Sequence, residues 1–539
     1  MSVAHRVRTK LFTAKTLAGA GVVKPTRPDR IAKALKALRG FGPTPAAGYT
    51  VSALRFPAET AIIDDLGTVT FAEVHRRSNA LAHELRAAGI GEGDGVAIMC
   101  RNHRGFIDTT VALSKLGANA LYLNTAFAGP QITEVAAREQ PAAIVYDAEF
   151  ENLIRDAGRD RRRFIAWHDA GEPAADPRLE DLIARGDVSD LSPPRRKGRV
   201  VILTSGTTGT PKGAQRRQPE SLEPAAALFD MIPLRARENT MLAAPMFHSW
   251  GFAHFTLGMA LSSTLVMRRK FDPEDTLSAM AQHRCTALVL VPVMLQRILE
   301  LPAETIDRYD LRALRVIAAS GSTLPGELAL QVMDRFGDVL YNLYGSTEVA
   351  WATIATPKDL REAPGTAGRP PRGTVVKLLD EVGGEVPPGD IGRIFVGNEM
   401  AMDGYTGGGG KQVVRGLMSS GDVGHFDAAG RLFVAGRDDE MIVSGGENVF
   451  PREVEDLLAA HEAVCEVAVV GVDDAEFGQR LCAFVVPQPG TEPSPDELRD
   501  HVKANLARYK VPRDIVFIDE LPRNSTGKVL KRQLAAREG

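Results

Sequence analysis

The segment LTSGTTGTPKG, residues 203–213, combines glycines and small hydroxyl side chains with a single lysine, Lys212. Glycine lets a backbone fold back on itself, and successive exposed N–H groups then form a concave anion-binding site. The hydroxyl groups add hydrogen-bond donors, and Lys212 adds a positive charge. The apolar run VVIL, residues 200–203, leads into the segment and predicts a buried strand. The segment therefore predicts a polyphosphate-binding loop that follows a strand.

This loop differs from a Walker A motif, in which a Gly-Lys pair precedes Ser or Thr. Pro211 precedes Lys212 here, and Gly213 follows it. The simpler interpretation is a flexible surface turn, because Ser, Thr and Gly are common in turns. The order of the eleven residues favours the phosphate-binding interpretation over the turn.

Length and composition restrict the class of protein. A chain of 539 residues is too long for one compact core, so we expect at least two domains. The net charge of -3 at pH 7 gives no overall signature of nucleic-acid binding, and no nucleic-acid partner is predicted. The four cysteines lack metal-ligand spacing, which favours a reducing, cytoplasmic compartment over a disulfide framework. No apolar run reaches the length of a membrane span.

Residues 1–45 form a basic N-terminal extension. Residues 1–41 contain ten Lys or Arg and one acidic residue, Asp29. Apolar residues recur in this extension at helical spacing, at Val3, Val7, Leu11, Ile31, Leu35 and Leu38. A basic amphipathic stretch can lie on an anionic membrane surface, so peripheral membrane association is one prediction. The alternative is a solvated arm that packs one side on the main domain.

From about residue 60 to residue 320, strand-like apolar runs alternate with helical patterns. The pattern predicts helices at 76–88 and 105–116, and strands at 95–100, 142–146, 287–292 and 314–319. Such alternation predicts helices packed on mostly parallel sheets. The fold class predicted for the chain is therefore α/β, with a large domain over residues 46–437.

The composition changes twice beyond this region. Gly and Pro become frequent over residues 365–436, where short apolar runs predict a β-rich subdomain. A helix at 453–460 and strands at 464–470 and 481–486 then return to a mixed pattern. Residues 438–539 are enough for a small α+β C-terminal domain.

Five further segments carry side chains that suit nucleotide chemistry. They are PMFHSWG at 245–251, YNLYGSTE at 341–348, SGD at 420–422, GRDD at 436–439 with SGGEN at 444–448, and PRNSTGK at 522–528. Together they provide a histidine among aromatic rings, a tyrosine beside an amide, several carboxylates and a second lysine on a polar loop.

In these segments and their order, the chain resembles the adenylate-forming superfamily, which holds acyl-CoA synthetases, luciferases and nonribosomal-peptide adenylation domains. Within it, the chain is most similar to fatty-acid–CoA ligases of the actinobacterial kind. The resemblance covers about residue 50 to the end and leaves residues 1–41 outside. It implies a large AMP-binding domain and a mobile C-terminal lid that turns at a hinge, Asp439.

The resemblance implies an enzyme, an AMP-forming acid–thiol ligase with two half-reactions. A carboxylate and Mg-ATP give an acyl-adenylate and pyrophosphate, and CoA then displaces AMP to give the thioester. The implied ligands are ATP, Mg²⁺, CoA and a fatty acid of medium or long chain. The alternatives are an aryl- or short-chain-acid–CoA ligase, an enzyme that stops at the adenylate and, from another class, a silent nucleotide-binding scaffold. A homodimer also stays open.

The resemblance assigns nucleotide-binding roles to individual residues. The phosphate loop would hold the β and γ phosphates through Thr204, Ser205, Gly206, Thr207, Thr208, Gly209 and Lys212. Tyr344 would stack on adenine and Asn342 would bond its amino edge. Four more residues, Gly321, Ser322, Gly345 and Thr347, would line the nucleotide. The alternative for Tyr344 is a core aromatic residue.

Further roles concern the ribose and the metal. Asp422 and Arg437 would bind the ribose hydroxyls, and the alternative for both is a surface ion pair. Glu348 and Thr204 would hold Mg²⁺, since a hard cation prefers oxygen ligands.

The catalytic roles implied by the resemblance fall on Lys528, Glu348 and His248. Lys528 would stabilise the charge that builds when the carboxylate attacks the α-phosphorus. His248 would line the acyl pocket; a satisfied core histidine is the alternative.

In the second half-reaction, Gly445, Gly446 and Glu447 would lie beside the pantetheine arm of CoA. Asp439→Pro is expected to spare adenylate formation and to cripple thioester formation, because a hinge absorbs its motion in a few residues.

Overall fold

The computed structural model describes residues 3–24, 27–169, 174–204, 211–216, 221–438, 442–444, 447–474, 478–524 and 527–538. The strands are β1 (Thr60–Asp64), β2 (Gly67–Thr70), β3 (Gly95–Met99), β4 (Asn119–Tyr122), β5 (Ala143–Asp147), β6 (Arg162–Trp167), β7 (Val200–Thr204), β8 (Lys212–Arg216), β9 (Asn239–Leu242), β10 (Thr264–Val266), β11 (Ala287–Leu290), β12 (Val316–Ala319), β13 (Leu340–Ser346), β14 (Ala350–Ala355), β15 (Val375–Leu379), β16 (Gly392–Gly397), β17 (Met402–Tyr405), β18 (Val413–Val414), β19 (Leu417–Phe426), β20 (Leu432–Arg437), β21 (Ile442–Ser444), β22 (Glu447–Val449), β23 (Val464–Asp474), β24 (Gly478–Pro487) and β25 (Asp514–Phe517).

The α-helices are α1 (Val3–Gly19), α2 (Pro28–Phe41), α3 (Pro45–Arg55), α4 (Phe71–Ala87), α5 (Arg104–Leu116), α6 (Gly129–Glu139), α7 (Glu151–Ile154), α8 (Leu179–Arg185), α9 (Glu223–Met231), α10 (Ser249–Leu261), α11 (Pro273–Gln282), α12 (Pro292–Leu299), α13 (Ala303–Asp307), α14 (Gly326–Phe336), α15 (Pro357–Glu362), α16 (Pro451–Ala459), α17 (Pro495–Asn505) and α18 (Lys531–Glu538). In the described part of the chain, short 3₁₀ helices also span Ala148–Phe150 and Arg508–Lys510.

The larger main sheet has eight strands in the order β14-β13-β12-β11-β9-β10-β1-β2. The strands from β13 to β1 pair in parallel, and β14 and β2 are antiparallel edges. The runs ALVL in β11 and VIAA in β12 are buried at every residue. This is the pattern of a parallel sheet that is covered on both faces. The alternation predicted over residues 60–320 is confirmed.

The second main sheet has seven strands in the order β17-β8-β7-β4-β3-β5-β6. Its strands from β7 to β6 pair in parallel, whereas β8 returns antiparallel to β7 with Lys212 opposite Thr204. The strand predicted before the phosphate loop is therefore present as β7. Residues 205–210 of that loop lie outside the described part of the chain.

Two smaller sheets follow. Strands β15, β16, β19, β18 and β20 form an antiparallel sheet in the region where the sequence predicts a β-rich subdomain. Strands β22, β21, β24, β23 and β25 form the C-terminal sheet, which is antiparallel except for the β24–β25 pair. Helices α16 and α17 contact each other beside this sheet.

Several elements differ in length from the sequence prediction; strands β23 and β24, for example, are longer than the predicted 464–470 and 481–486. Two of the differences have a clear local reason. Helix α4 begins at Phe71 and not at residue 76, because Thr70 and Glu73 form a capping box that starts the helix earlier. Strand β11 ends at Leu290 and not at residue 292, because Pro292 is the first residue of α12.

The basic N-terminal extension forms helices α1 and α2. Phe12 of α1 lies under the Arg372 guanidinium, 4.3 Å from its ring centre, and α1 contacts α9. On α2, Ala34, Ala37 and Phe41 are buried. The extension thus packs one side on the large domain, as one of its two interpretations predicts.

The predicted α/β fold class is confirmed by these mixed sheets and their helices. The domain boundaries stay predictions. None of the described helices is both long and apolar enough to cross a membrane.

Candidate active site

A cavity of about 800 Å³ lies at the carboxyl edge of the eight-stranded sheet. In parallel sheets, side chains that follow neighbouring strands meet at this edge. Ser320, Gly321 and Ser322, which follow strand β12, line the cavity. Residues 342–346 of strand β13 and Glu348 beyond its end line it as well. The C-terminal region closes the cavity from the other side with Arg523, Gly527 and Lys528.

Many of the predicted site residues line this one cavity, although they are far apart in sequence. Those in its wall are Lys212, His248, Gly321, Ser322, Asn342, Tyr344, Gly345, Thr347, Glu348, Asp422, Arg437 and Lys528. Outside the described residues lie Ser205, Gly206, Thr207, Thr208, Gly209, Asp439, Gly445 and Gly446, together with the side chains of Thr204 and Glu447. The roles of all these residues stay predictions.

One end of the cavity holds a hydrogen-bonded group around Asp422. The Tyr344 hydroxyl donates to Asp422 Oδ2 at 2.5 Å, and Arg437 Nη1 donates to Asp422 Oδ1 at 3.2 Å. Asp422 and Arg437 are direct cross-strand partners on β19 and β20. Burial, followed by the Asp422 charge, raises the pKa of Tyr344 well above its usual value, so its hydroxyl keeps its proton. The ring and the ion pair are therefore held in fixed positions beside one another.

Asn342 is placed in the cavity wall by the backbone pairing of β13 with β12. Its side-chain oxygen Oδ1 is buried and has no hydrogen-bond partner among the described residues. A buried amide oxygen without a donor is costly, so an atom in this position suits a ligand N–H group.

Glu348 lies just beyond the end of β13. Its Oε1 accepts a hydrogen bond of 2.9 Å from the Tyr405 hydroxyl, and the Lys212 ammonium lies 5.5 Å from the Tyr405 ring centre. Tyr405 thus connects the predicted metal ligand with the lysine of the phosphate loop. The Glu348 carboxylate offers oxygen atoms, which are the ligands that a hard divalent cation prefers.

Lys528 is positioned by a tight turn of the C-terminal region. Its backbone N–H donates to Asn524 Oδ1 at 2.9 Å, and its carbonyl accepts from the Asn524 N–H at 2.9 Å. Arg523 donates to the Gly527 carbonyl at 2.6 Å and pairs with Glu466 at 2.9 Å.

Gly527 lets this turn approach the large domain closely. Its φ is +76°, and a Cβ at this position would lie 2.3 Å from Val293 Cγ1 on α12. A side chain would therefore push the lysine loop away from the cavity, in addition to straining the backbone.

His248 precedes α10, and burial lowers its pKa to about 4. The ring is therefore neutral at neutral pH. Its ring centre lies 4.7 Å from that of Phe247. Trp250, in the first turn of α10, donates from Nε1 to the Leu290 carbonyl at 3.0 Å.

Sequence reasoning missed several polar side chains of the cavity, among them Tyr405 and His254. Tyr405 lies on β17, and its place beside Glu348 depends on the pairing of β17 with β8, which no local sequence motif predicts. His254 lies four residues beyond Trp250 on α10 and faces the same cavity. Its i, i+4 spacing from Trp250 was the available signal.

The AMP-binding enzyme family matches residues 49–406, and the AMP-binding enzyme C-terminal domain matches residues 453–528. The chain is 34% identical to an indoleacetate–CoA ligase of Aromatoleum aromaticum, over 89% of this chain and 96% of the relative. It is 33% identical to a feruloyl-CoA synthase of an Amycolatopsis species, over 93% of this chain and 99% of the relative.

The fold comparison agrees. The crystal structure of the anthranilate CoA ligase AuaEII in complex with anthranoyl-AMP superposes with a TM-score of 0.81 and 25% identity, and the match covers 92% of this chain and 97% of that chain.

The chain belongs to the AMP-binding enzymes of the adenylate-forming superfamily. It is an AMP-forming acid–thiol ligase of the acyl-CoA synthetase type, as the sequence predicts. ATP and CoA are accordingly its nucleotide and thiol substrates.

Proposed function

We propose that the protein activates a carboxylic acid as its adenylate and transfers the acyl group to CoA, with an aryl or arylalkanoic acid as the substrate. One observation carries the proposal: Lys528 lines the same cavity as Asn342, Tyr344, Glu348 and the Asp422–Arg437 pair. A cation, a stacking ring, an amide acceptor and two carboxylates are the groups that ATP and an attacking carboxylate require.

The side chains take distinct tasks in the first half-reaction. The Asn342 Oδ1 atom accepts from the exocyclic amino group of adenine, and the Tyr344 ring stacks on the base. Asp422 and Arg437 bind the ribose hydroxyls. The Lys528 ammonium stabilises negative charge on the bridging oxygen and on the leaving pyrophosphate.

Magnesium would be held by Glu348 with Thr204, because the carboxylate lies beside Tyr405 and near Lys212 at the phosphate end of the cavity. The ion would supply charge neutralisation of the phosphates.

The aryl acid class is supported by the named substrates of the relatives and by aromatic side chains in the cavity. Trp250 and Trp351 both line it and are 8% exposed. Flat rings suit such walls, since aromatic pairs gain energy beyond their buried area. Indoleacetate and ferulate, the acids named for the two relatives, are both aromatic.

A medium- or long-chain fatty acid, the substrate predicted from the sequence, is the second candidate. Apolar residues of α9 and the loop after it line the cavity at Leu228, Ile232 and Leu234. Such a wall also suits an alkyl chain.

Mass spectrometry of products tests both candidates. The protein is incubated with Mg-ATP, CoA and a mixed panel of aromatic, short-chain and long-chain acids, and Lys528→Ala is the control. Aryl-CoA thioesters as the dominant products support the proposal, and long-chain acyl-CoA products support the second candidate. Adenylate without thioester would identify an enzyme that stops at the first step, and nucleotide binding without any product would identify a silent scaffold.

We also propose that helices α1 and α2 rest on an anionic membrane surface. Ile31, Leu35 and Leu38 of α2 are exposed and share one face at i, i+4 and i+7. Ten Lys or Arg and one acidic residue in residues 1–41 provide the complementary charge.

Co-sedimentation with vesicles of phosphatidylglycerol and phosphatidylcholine tests this contact. Binding is expected at low salt and should weaken at high salt. The double variant Ile31→Ser, Leu35→Ser should bind less, whereas Val382→Ser, at a 93% exposed valine of the β-rich region, should bind as the parent does. Equal sedimentation of all three would overturn the membrane contact. The oligomeric state stays open between monomer and homodimer, and analytical ultracentrifugation would determine it.

A further inference from the structure

His254 is a buried polar side chain in the apolar part of the cavity. It lies on α10 and is only 3% exposed. Its ring packs edge-on against Trp250 at a centroid distance of 4.2 Å, and its Nδ1 lies 3.4 Å from the Trp250 carbonyl oxygen. Its other nitrogen, Nε2, is buried and has no hydrogen-bond partner among the described residues.

The protonation state of the His254 ring follows from these contacts. Burial lowers its pKa to about 4, so the ring is neutral at neutral pH. A neutral imidazole carries one proton, and a carbonyl oxygen only accepts. The proton therefore lies on Nδ1, which donates weakly to the Trp250 carbonyl, and Nε2 is a hydrogen-bond acceptor.

The residues around His254 form an apolar part of the cavity wall. Trp250, Gly251, His254 and Leu257 follow the helical repeat, and all line the cavity, so one face of α10 forms part of its wall. Leu228, Ile232 and Leu234 add apolar wall from α9 and the loop after it. An acceptor buried among such residues without a donor costs free energy, which a donor on the ligand removes.

The distance along α10 indicates which part of the acid reaches His254. His248, the residue before the helix, and His254 are six residues apart, which is about 9 Å at the helical rise of 1.5 Å per residue. When the carboxylate lies near His248, a group about 9 Å further along α10 contacts the far end of an acid the size of a phenylpropenoate.

We propose that His254 Nε2 accepts a hydrogen bond from a hydroxyl or N–H group on the distal part of the acyl moiety, so that the enzyme prefers donor-bearing acids to their unsubstituted counterparts. This assignment rests on the proposed function, because it takes the cavity to be the acyl site. It deepens that function by naming phenols and N–H heterocycles as the favoured acids.

The test compares 4-hydroxycinnamate with cinnamate, which differ only in the distal donor. The specificity constant kcat/KM for thioester formation is measured with the parent protein and with His254→Leu. A site that accepts a buried hydrogen bond rejects the analogue without the donor. The parent should prefer the hydroxylated acid by roughly tenfold to a hundredfold, and His254→Leu should bring the ratio close to one.

Two further variants separate the hydrogen bond from the shape of the cavity. His254→Gln keeps an acceptor and should retain part of the preference. Leu257→Ala enlarges the cavity on the same helix face without changing its polar groups, so it should keep the ratio of the two acids. If His254→Leu fails to fold, His254→Gln and the parent still give a comparison.

Calorimetric dissociation constants for both acids, measured without ATP and CoA, distinguish this inference from the proposed function. A tenfold preference that disappears in His254→Leu supports His254 even if no thioester forms, and the absence of thioester would then count against the ligase proposal alone. Equal dissociation constants and equal kcat/KM values for the two acids in the parent would overturn the role of His254.

Discussion

His103 and His254 are both almost completely buried, yet their surroundings differ in one respect. His103 Nδ1 accepts from the Gly105 N–H at 3.1 Å, and its Nε2 donates to Asp147 Oδ1 at 2.7 Å. Both nitrogens of His103 are therefore satisfied inside the fold. His254 lines the cavity, and its buried Nε2 has no partner among the described residues. Burial alone does not separate a structural polar residue from a ligand-binding one; hydrogen-bond satisfaction does.

His103 belongs to a buried cluster whose polar atoms are also satisfied by internal partners. Cys100, His103 and Asp147 lie close enough together to suggest a metal site. However, both histidine nitrogens are engaged, and Asp147 Oδ2 accepts from the Arg101 N–H at 2.9 Å. Burial, as the main cause, also raises the pKa of the Cys100 thiol well above its usual value, which disfavours the thiolate that a metal prefers. This interior cluster supports the start of α5 and holds strand ends together.

The largest expected effect is on the reaction rate, for a variant of a residue that lines the cavity. Lys528→Ala should slow adenylate formation by about 100- to 1,000-fold, since it removes the charge that we propose stabilises the transition state. Its melting temperature should stay near that of the parent, because the Lys528 side chain is exposed. Pyrophosphate release measures the rate, with Lys503→Ala, at an exposed lysine of α17, as the control. Equal rates for the two variants would contradict the assigned role of Lys528.

Variants of the buried cluster around His103 should instead change the stability of the fold. Asp147→Ala should lower the free energy of unfolding by about 3 kcal/mol, because it leaves the buried His103 Nε2–H and the Arg101 N–H without an acceptor. Urea unfolding monitored by fluorescence measures the loss. Asp147→Asn keeps one oxygen as an acceptor and should lose less. A cost for His254→Leu as large as that for Asp147→Ala would break the distinction between the two histidines.

A buried lysine in the protein interior predicts a pH dependence. Lys115 is 1% exposed, and its ammonium donates to Asn79 Oδ1, Ser78 Oγ and the His75 carbonyl. Burial lowers its pKa from 10.5 to about 7. The unfolded chain therefore binds more protons than the native protein between these values, and the stability from this residue grows as pH rises from 7 toward 10.5 and is lost as pH falls through 7.

Comparison with Lys115→Met isolates this contribution. The free energy of unfolding is measured at pH 7 and at pH 9 for both proteins. The parent should gain about 1–2 kcal/mol relative to the variant over this interval. Parallel curves would show that the Lys115 amine titrates in the native protein as it does in water.

The smallest expected effect comes from comparing two asparagines, one in the cavity wall and one in the interior. Asn342→Leu should raise the KM for ATP by about tenfold, since the nucleotide loses one buried acceptor, and it should leave stability nearly unchanged. Asn79→Leu is the matched interior variant, because Asn79 Oδ1 accepts from Lys115. It should lower stability and leave the KM for ATP of the folded protein unchanged. The reverse pattern would contradict the division between cavity and interior.

Much of the candidate site could be predicted from the sequence, because its motifs are local. The YNLYGSTE segment places Asn342, Tyr344 and Glu348 on or just after one strand, and SGD places Asp422. The alternation of apolar runs with helical patterns predicted the parallel strands, because backbone periodicity is also a local property of the sequence. Local motifs and periodicity do not predict that Tyr405 and His254 line the cavity, because their positions depend on how separate elements pack together.

The sequence by itself determined the fold class, the family, the chemical types of the site residues and the charge of residues 1–41. Only the tertiary structure decided that Gly527 lies against Val293 so that Lys528 enters the cavity, and that Tyr405 bonds Glu348. It also decided that the partners of His103 are internal and that His254, with an unpartnered Nε2 among the described residues, lines the cavity. The physical reason is that periodicity and motifs act over a few residues, whereas satisfaction of a buried polar atom depends on which distant groups the packed chain brings within 3 Å or so of it.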